Sequence, residues 1–199
     1  MCEFCLKHGE GKIWYQNLKN YSAELAAEPK RKNFIDHGLR MSEIMTLDFR
    51  ELEDARRKDS FFSRMKFNIG KKIYSRWSKK HHQGQIVPLE DAKQIVDSMH
   101  TITRVPCLCA LATTGKEIRA CFLITIEPHK MYGYPIDNFW PDLAIPGSSK
   151  LDVIEKDDAK KMLEDFEPKG RLHSIWTLNT PYIVGICNCD TQECQPIRC

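Results

Sequence analysis

Thiol chemistry is written most densely at the end of the chain, where Cys187, Cys189 and Cys194 form a Cys-x-Cys-x4-Cys run and Cys199 is the last residue. Thiolates are the ligands that iron–sulfur clusters require, and they also bind zinc. Residues i and i+2 of a strand share a face, so Cys187 and Cys189 can approach one metal centre together. Cys194 returns after a turn, and Cys199 is a candidate fourth ligand. The spacing matches neither standard ferredoxin run and so fixes no cluster type. Against ligation stands the plainer reading that these are free cysteines, buried as small apolar residues.

Two further groups have the same character. Cys107 and Cys109 form a second Cys-x-Cys, which places both sulfurs on one face of a predicted strand, and Cys121 lies on the next. If the Cys107 strand lies beside the one ending at Cys187, the two groups make a single site. Buried sheet cysteine is an equal reading for Cys107 and Cys109 and the favoured one for Cys121. At the other end, Cys2, Cys5 and His8 have ligand types and spacing suited to zinc or to part of a cluster. Alone they are half a site. The same Cys-x2-Cys could be a redox dithiol, but the strand context of thioredoxin-like chemistry is missing.

Other residues offer less chemistry. His81 and His82 follow a basic helix, where the helix C-terminus is a sufficient reason for them. His173 reads as a satisfied core histidine beside Trp176. Gly9-Glu10-Gly11-Lys12 lacks P-loop spacing and a preceding strand. No nucleophile elbow, paired-histidine zinc helix or dinucleotide fingerprint is present.

Nine cysteines among 199 residues is a high count, and an odd number cannot all pair within one chain. A 42% hydrophobic content is that of a globular domain rather than a disordered one. No window is long and apolar enough for a membrane span, and the N-terminus lacks the pattern of a secretory signal. The expectation is therefore a soluble cytoplasmic protein, and in a reducing compartment metal or thiol chemistry outranks structural disulfides. The net charge of +3 is unevenly spread, with ten basic residues and one acid between Arg56 and Lys80. That block is a solvated face or a patch for an acidic partner or anionic ligand.

Several elements must position these groups. Ile13, Tyr15, Leu18, Tyr21 and Leu25 recur at helical spacing up to Pro29. Phe61, Met65, Ile69, Ile73 and Trp77 form an i, i+4 stripe that reads as a core-facing helix. From Gln85 the expected order is strand 85–87, helix 89–99, strand 101–110, turn 111–116, strand 118–126, an ordered aromatic loop 128–149, helix 156–166, and strands 171–178 and 182–187. The fold class is α+β, with a helical N-terminal part (1–82) packed on an antiparallel sheet in a cysteine-containing part (83–199), as one compact unit. The element order over 85–178 fits a ferredoxin-like β-α-β-β-α-β sandwich.

Taken together, these segments resemble a group of uncharacterised ferredoxin-like, 4Fe-4S-binding proteins of anaerobic bacteria and archaea. The resemblance lies in Met1-Cys2-Glu3-Phe4-Cys5, His8 to Lys12, Trp14-Tyr15, Pro88 to Ala92, Val105 to Cys109, Thr114 to Phe122, His173 to Trp176, and Cys187 to Asp190 with Cys194. It implies an iron–sulfur cluster, of 4Fe-4S type, and a chain that looks like the N-terminal domain alone, without the two-motif ferredoxin module such proteins often carry. The group's Cys-x-Cys-Arg is departed from here at Ala110, which puts in doubt any anion-binding or cluster-tuning role there. The expected activity is electron transfer, with Cys187, Cys189 and Cys194 as ligands and a fourth from Cys107, Cys109 or Cys199. The expected partner is a redox protein, acidic enough to meet the basic helix, with no nucleic acid or membrane involved. The alternatives are a structural zinc module for protein interaction, and a thiol-based redox sensor or enzyme with a ligand beneath the aromatic loop at Tyr132–Trp140.

Overall fold

A computed structural model describes residues 11–33, 50–51, 53–58, 60–81, 84–128, 130–131, 134–135, 152–194 and 197. The fold is α+β, built on one antiparallel sheet of six strands. In chain order these are β1 (Gly84–Ile86), β2 (Thr101–Val105), β3 (Cys121–Thr125), β6 (Asp152–Ile154), β7 (Leu172–Thr177) and β8 (Ile183–Cys189), arranged β1-β7-β8-β3-β2-β6. A separate two-stranded pair joins β4 (Lys130–Met131) to β5 (Tyr134–Pro135). The helices include α1 (Ala23–Ala27), α2 (Phe61–His81), α3 (Leu89–Ser98), α4 (Leu108–Thr114) and α5 (Lys156–Phe166). None among the described residues is long and apolar enough to cross a membrane.

Alternation along the strands divides the sheet into two chemically different faces. On one, Phe122, Ile186 and Ile175 stand side by side on β3, β8 and β7. Together with Ile102 and Ile124 they pack under Ala92, Ile95 and Val96 of α3 and Ala159 and Leu163 of α5. Both helices carry acids in their first turn, Glu90 and Asp91 in one and Asp157 and Asp158 in the other, where the helix dipole favours them. The opposite face carries the next residues in each strand, which include Cys121 and Cys187.

Several expected elements differ from those observed. The 101–110 strand stops at Val105, because Pro106 offers no N–H to the ladder and Leu108–Ala112 are good helix formers. The residues expected as a turn thus belong to α4, which Gly115 ends in a left-handed conformation at φ 72°. The sheet order also departs from the ferredoxin-like expectation. That arrangement would insert the first strand within the sheet, whereas β1 lies at the edge beside β7 and β8 occupies the interior position. Strand β6, beside β2, had no clear sequence signal.

The N-terminal part is helical but not one amphipathic helix. Two 3-10 turns, Gly11–Gln16 and Leu18–Tyr21, precede α1, and residues 29–33 are again helical beyond Pro29. They bury Trp14, Tyr15 and Tyr21 in the main core, while Ile13 and Leu18 are exposed. Trp14 Nε1 donates to Gln85 Oε1 at 2.7 Å, Tyr15 Oη donates to Asp91, and Arg31 Nε donates to the Asn179 carbonyl at 3.0 Å. The α2 stripe, read as core, lies outside it: Phe61 is 76% exposed and Ile73 64%. The sheet face it was expected to cover is already filled by α3, α5 and the N-terminal aromatics.

At Gly185 the β8 backbone lies close against that of β3. A Cβ on Gly185 would come within 2.5 Å of the Phe122 carbonyl oxygen. Gly185→Ala is expected to cost about 2 kcal/mol or more, since backbone rather than a flexible side chain must yield. Urea unfolding of the two proteins checks this, and a loss below about 0.5 kcal/mol would show that the strands part easily.

Candidate metal centre

Four segments bring thiols to the second face of the sheet. Cys107 is the N-cap residue of α4, its side chain making no capping bond, and Cys109 lies in the first turn of that helix. Cys121 opens β3 directly opposite Cys187 on β8, and Cys189 ends β8 two residues later on the same face. The turn after β8 then delivers Cys194. There the Gln192 amide donates to Asp190 Oδ1 at 2.7 Å, and the Cys194 amide donates to the Asp190 carbonyl at 2.9 Å.

The six thiols lie near enough to shift one another's acidity, in a series that closes on itself. Cys107 interacts with Cys109 and Cys121, and Cys109 with Cys194. Cys194 interacts with Cys189, Cys189 with Cys187, and Cys187 with Cys121. All six are free; Cys189 and Cys194 are buried and the other four half-buried. Among the described residues, no group of three or more His, Cys, Asp or Glu side chains is arranged so that it could hold a metal ion.

This packing drives their acidities apart. Hydrogen bonds from Cys109 and Cys121 hold Cys107 well below the ordinary thiol range. Those from Cys187 and Cys194 bring Cys189 down to about 4, with help from Ser174. Cys109 is pushed up by its bonds to Cys107 and Cys194 and by burial, and Cys187 by its bonds to Cys121 and Cys189 and by burial. Cys121 is raised by donating to Cys107, against a smaller lowering by Cys187. Cys194 is lowered by Cys109 but raised more by Cys189 and by burial, reaching about 12. Cys107 and Cys189 are thus held low while the thiols beside them are held high. Thiolate is the form that ligates metal.

A second layer of hydrogen bonds fixes these segments. Asn188, between the two β8 cysteines but facing the other way, is buried and donates from Nδ2 to the Ala120 carbonyl at 2.6 Å. Its Oδ1 accepts from Nδ1 of buried His173 at 2.6 Å, which fixes the tautomer of that ring. The Asn188 carbonyl accepts from Arg171 Nη1 at 3.0 Å, and Thr113 Oγ1 of α4 donates to the Glu193 carbonyl at 3.1 Å. Ser174, beside Cys187 on β7, has its Oγ 3.6 Å from Cys189 Sγ and accepts from Trp176 Nε1 at 3.0 Å.

The expected ligands Cys107, Cys109, Cys187, Cys189 and Cys194 are thus brought together, though by a different route. The Cys107 strand does not lie beside β8; β3 does, and the Cys107 pair arrives on a helix. Cys121, favoured as an ordinary core cysteine, is a full member of the ring. A single cysteine in the expected 118–126 strand carries no spacing signal, and the β3–β8 register is what places it there. Cys2, Cys5, His8 and Cys199 lie outside the described residues, as do Tyr132, Phe139 and Trp140 of the aromatic loop.

The Asn188→Ala change tests the supporting layer. It leaves the buried Nδ1–H of His173 without its acceptor and removes one of the two donors to Ala120, so the expected loss is about 2 kcal/mol of stability. Chemical denaturation measures it; a change under about 0.5 kcal/mol would mean that the layer contributes nothing to holding the site.

No family model, curated protein or solved structure matches this chain.

Proposed function

We propose that the chain is a cytoplasmic iron–sulfur protein acting in electron transfer. The observation that carries this reading is the gathering of six thiols, from a helix, two strands and a turn, into one contiguous ring. Soft sulfur donors in such number, with no carboxylate or imidazole in the ring, suit iron–sulfur chemistry. The resemblance to 4Fe-4S-binding proteins supports the same choice. Cys107, Cys109, Cys121, Cys187, Cys189 and Cys194 would hold the centre, which supplies one-electron redox chemistry when bound. This chain's own part is to bury the ligands and to aim donors at their sulfurs. The basic face of α2, with Lys66, Lys72, Arg76 and Lys80 exposed, would steer an acidic redox partner into a weak encounter.

Anaerobic purification followed by iron, sulfide and zinc analysis tests the assignment. The expected protein is brown, with broad absorbance near ~400 nm and both iron and acid-labile sulfide. A colourless anaerobic preparation with stoichiometric zinc would favour the structural zinc module instead.

Ser174 gives a finer test. Ser174 Oγ donates to the Cys187 carbonyl at 3.4 Å and lies 3.6 Å from Cys189 Sγ, which can take the proton instead once a bound centre makes that sulfur the stronger acceptor. Such a bond stabilises the more negative, reduced centre. Ser174→Ala is expected to leave iron content unchanged and to lower the midpoint potential by roughly 20–60 mV, the one-electron equivalent of one net hydrogen bond. An unchanged potential in protein film voltammetry would contradict that role.

A further inference from the structure

Facing residues of an antiparallel pair alternate between hydrogen-bonded and non-hydrogen-bonded positions. The Asn188 amide donates to the Ala120 carbonyl at 3.2 Å, which marks Ala120 and Asn188 as a hydrogen-bonded pair. The next pair along, Cys121 and Cys187, is therefore a non-hydrogen-bonded one. Such pairs bring their Cα atoms to about 4.5 Å, with the two side chains adjacent on one face. A disulfide spans Cα separations of roughly 4.4–6.8 Å, so this pair lies within its reach.

The other neighbouring cysteines are placed less well. Cys187 and Cys189 are two residues apart on one extended strand, where successive same-face side chains stand parallel about 6.6 Å apart. A disulfide needs its Cβ atoms at about 3.8 Å. Cys107 and Cys109 are the N-cap and a first-turn residue of α4, and positions i and i+2 of a helix do not face each other. Among the described cysteines, Cys121 and Cys187 are the two that strand register sets directly opposite each other.

We propose that Cys121 and Cys187 form a reversible cross-strand disulfide in the metal-free chain, a redox latch that withdraws two sulfurs from the candidate centre. The inference goes beyond the iron–sulfur reading, because it concerns the chain with no centre bound. The oxidant is a low-molecular-weight disulfide. A cysteine thiolate attacks one of its sulfurs, the reagent's S–S bond breaks and one small thiolate leaves. The partner cysteine then attacks the mixed disulfide and expels the second. Two protein thiols and one small disulfide become one protein disulfide and two small thiols. The two protein protons end on the released thiolates, and the protein sulfurs lose the two electrons that the reagent gains. Both cysteines are half-buried, not sealed. Their neighbours Cys107 and Cys189, held towards thiolate, can take up the small thiol first and hand it on by exchange. Once the bond is closed, neither sulfur is the thiolate that a metal binds. The β3–β8 register is then held covalently while the site is empty. In a reducing compartment such a bond is transient, and a dithiol reopens it.

The test uses the full chain, stripped of metal by a chelator under reducing conditions and equilibrated in oxidised and reduced glutathione at rising ratios. Free thiols are then alkylated, and mass spectrometry of the tryptic peptides maps the cross-links. The first cross-link expected joins the peptide carrying Cys121 to the one carrying Cys187, two hydrogens lighter than the separate peptides, and dithiothreitol reverses it. Cys187→Ser is expected to abolish it, whereas Cys189→Ser and Cys194→Ser, on the same tryptic peptide, keep it. Circular dichroism checks the fold of each variant. Fragmentation of the linked peptides places the bond in the unsubstituted chain even if a variant does not fold. A first disulfide between any other pair, or Cys121 alkylated at every ratio, would overturn the latch. So would a cross-link to Cys121 that survives in Cys187→Ser. None of these outcomes alters the iron and sulfide content of anaerobically purified protein, so the iron–sulfur reading is tested separately.

Discussion

The pairing of β3 with β8 is the constraint on which the rest of the structure depends. It sets Cys121 opposite Cys187 and Phe122 opposite Ile186, so one register serves the thiol face and the apolar core at once. Because side chains alternate with period two, a slip of one residue would send the cysteines into the core and Phe122 towards the thiols. Two features hold the register. Gly185 lets the backbones approach where any Cβ would strike the Phe122 carbonyl, and Asn188 ties β8 to Ala120 by both backbone and side chain. These residues touch no sulfur outward on the ring face, yet they decide where the sulfurs are.

The sheet separates the apolar core from the thiols by face. One face is an ordinary aliphatic core beneath α3 and α5, which supplies hydrophobic stabilisation. The other concentrates polarisable sulfur, with Ser174 and Trp176 at its margin. His173 and Asn188 connect them through the His173 Nδ1–Asn188 Oδ1 bond, so the strand that carries two thiols is anchored from the core side. The site is therefore positioned by packed strands more than by loops, which favours fixed ligand geometry.

Much of this was legible in the sequence, for identifiable reasons. Helices α3 and α5 follow from acidic first turns and apolar spacing, and four of the six cysteines stand out as two Cys-x-Cys pairs, with Cys194 close behind the second. What failed was partner choice. β-Branched residues predict a strand through Val105 but not that Pro106 ends it, nor that Cys107 and Cys109 arrive on a helix. Sheet order is a long-range property, so element order suggested a ferredoxin-like arrangement while β8 took the interior position. The α2 stripe shows the same limit, since periodicity reports an apolar face and not what covers it. Cys121 was passed over because one cysteine in a strand carries no spacing signal; only its register with Cys187 makes it part of a site.

The proposed iron–sulfur site lies among the six clustered cysteines. An anaerobically grown crystal, with diffraction recorded on either side of the iron and zinc absorption edges, tests it most directly. The account predicts iron anomalous density enclosed by Cys107, Cys109, Cys121, Cys187, Cys189 and Cys194. Iron density elsewhere in the molecule with the ring empty, or zinc density alone within the ring, would contradict it.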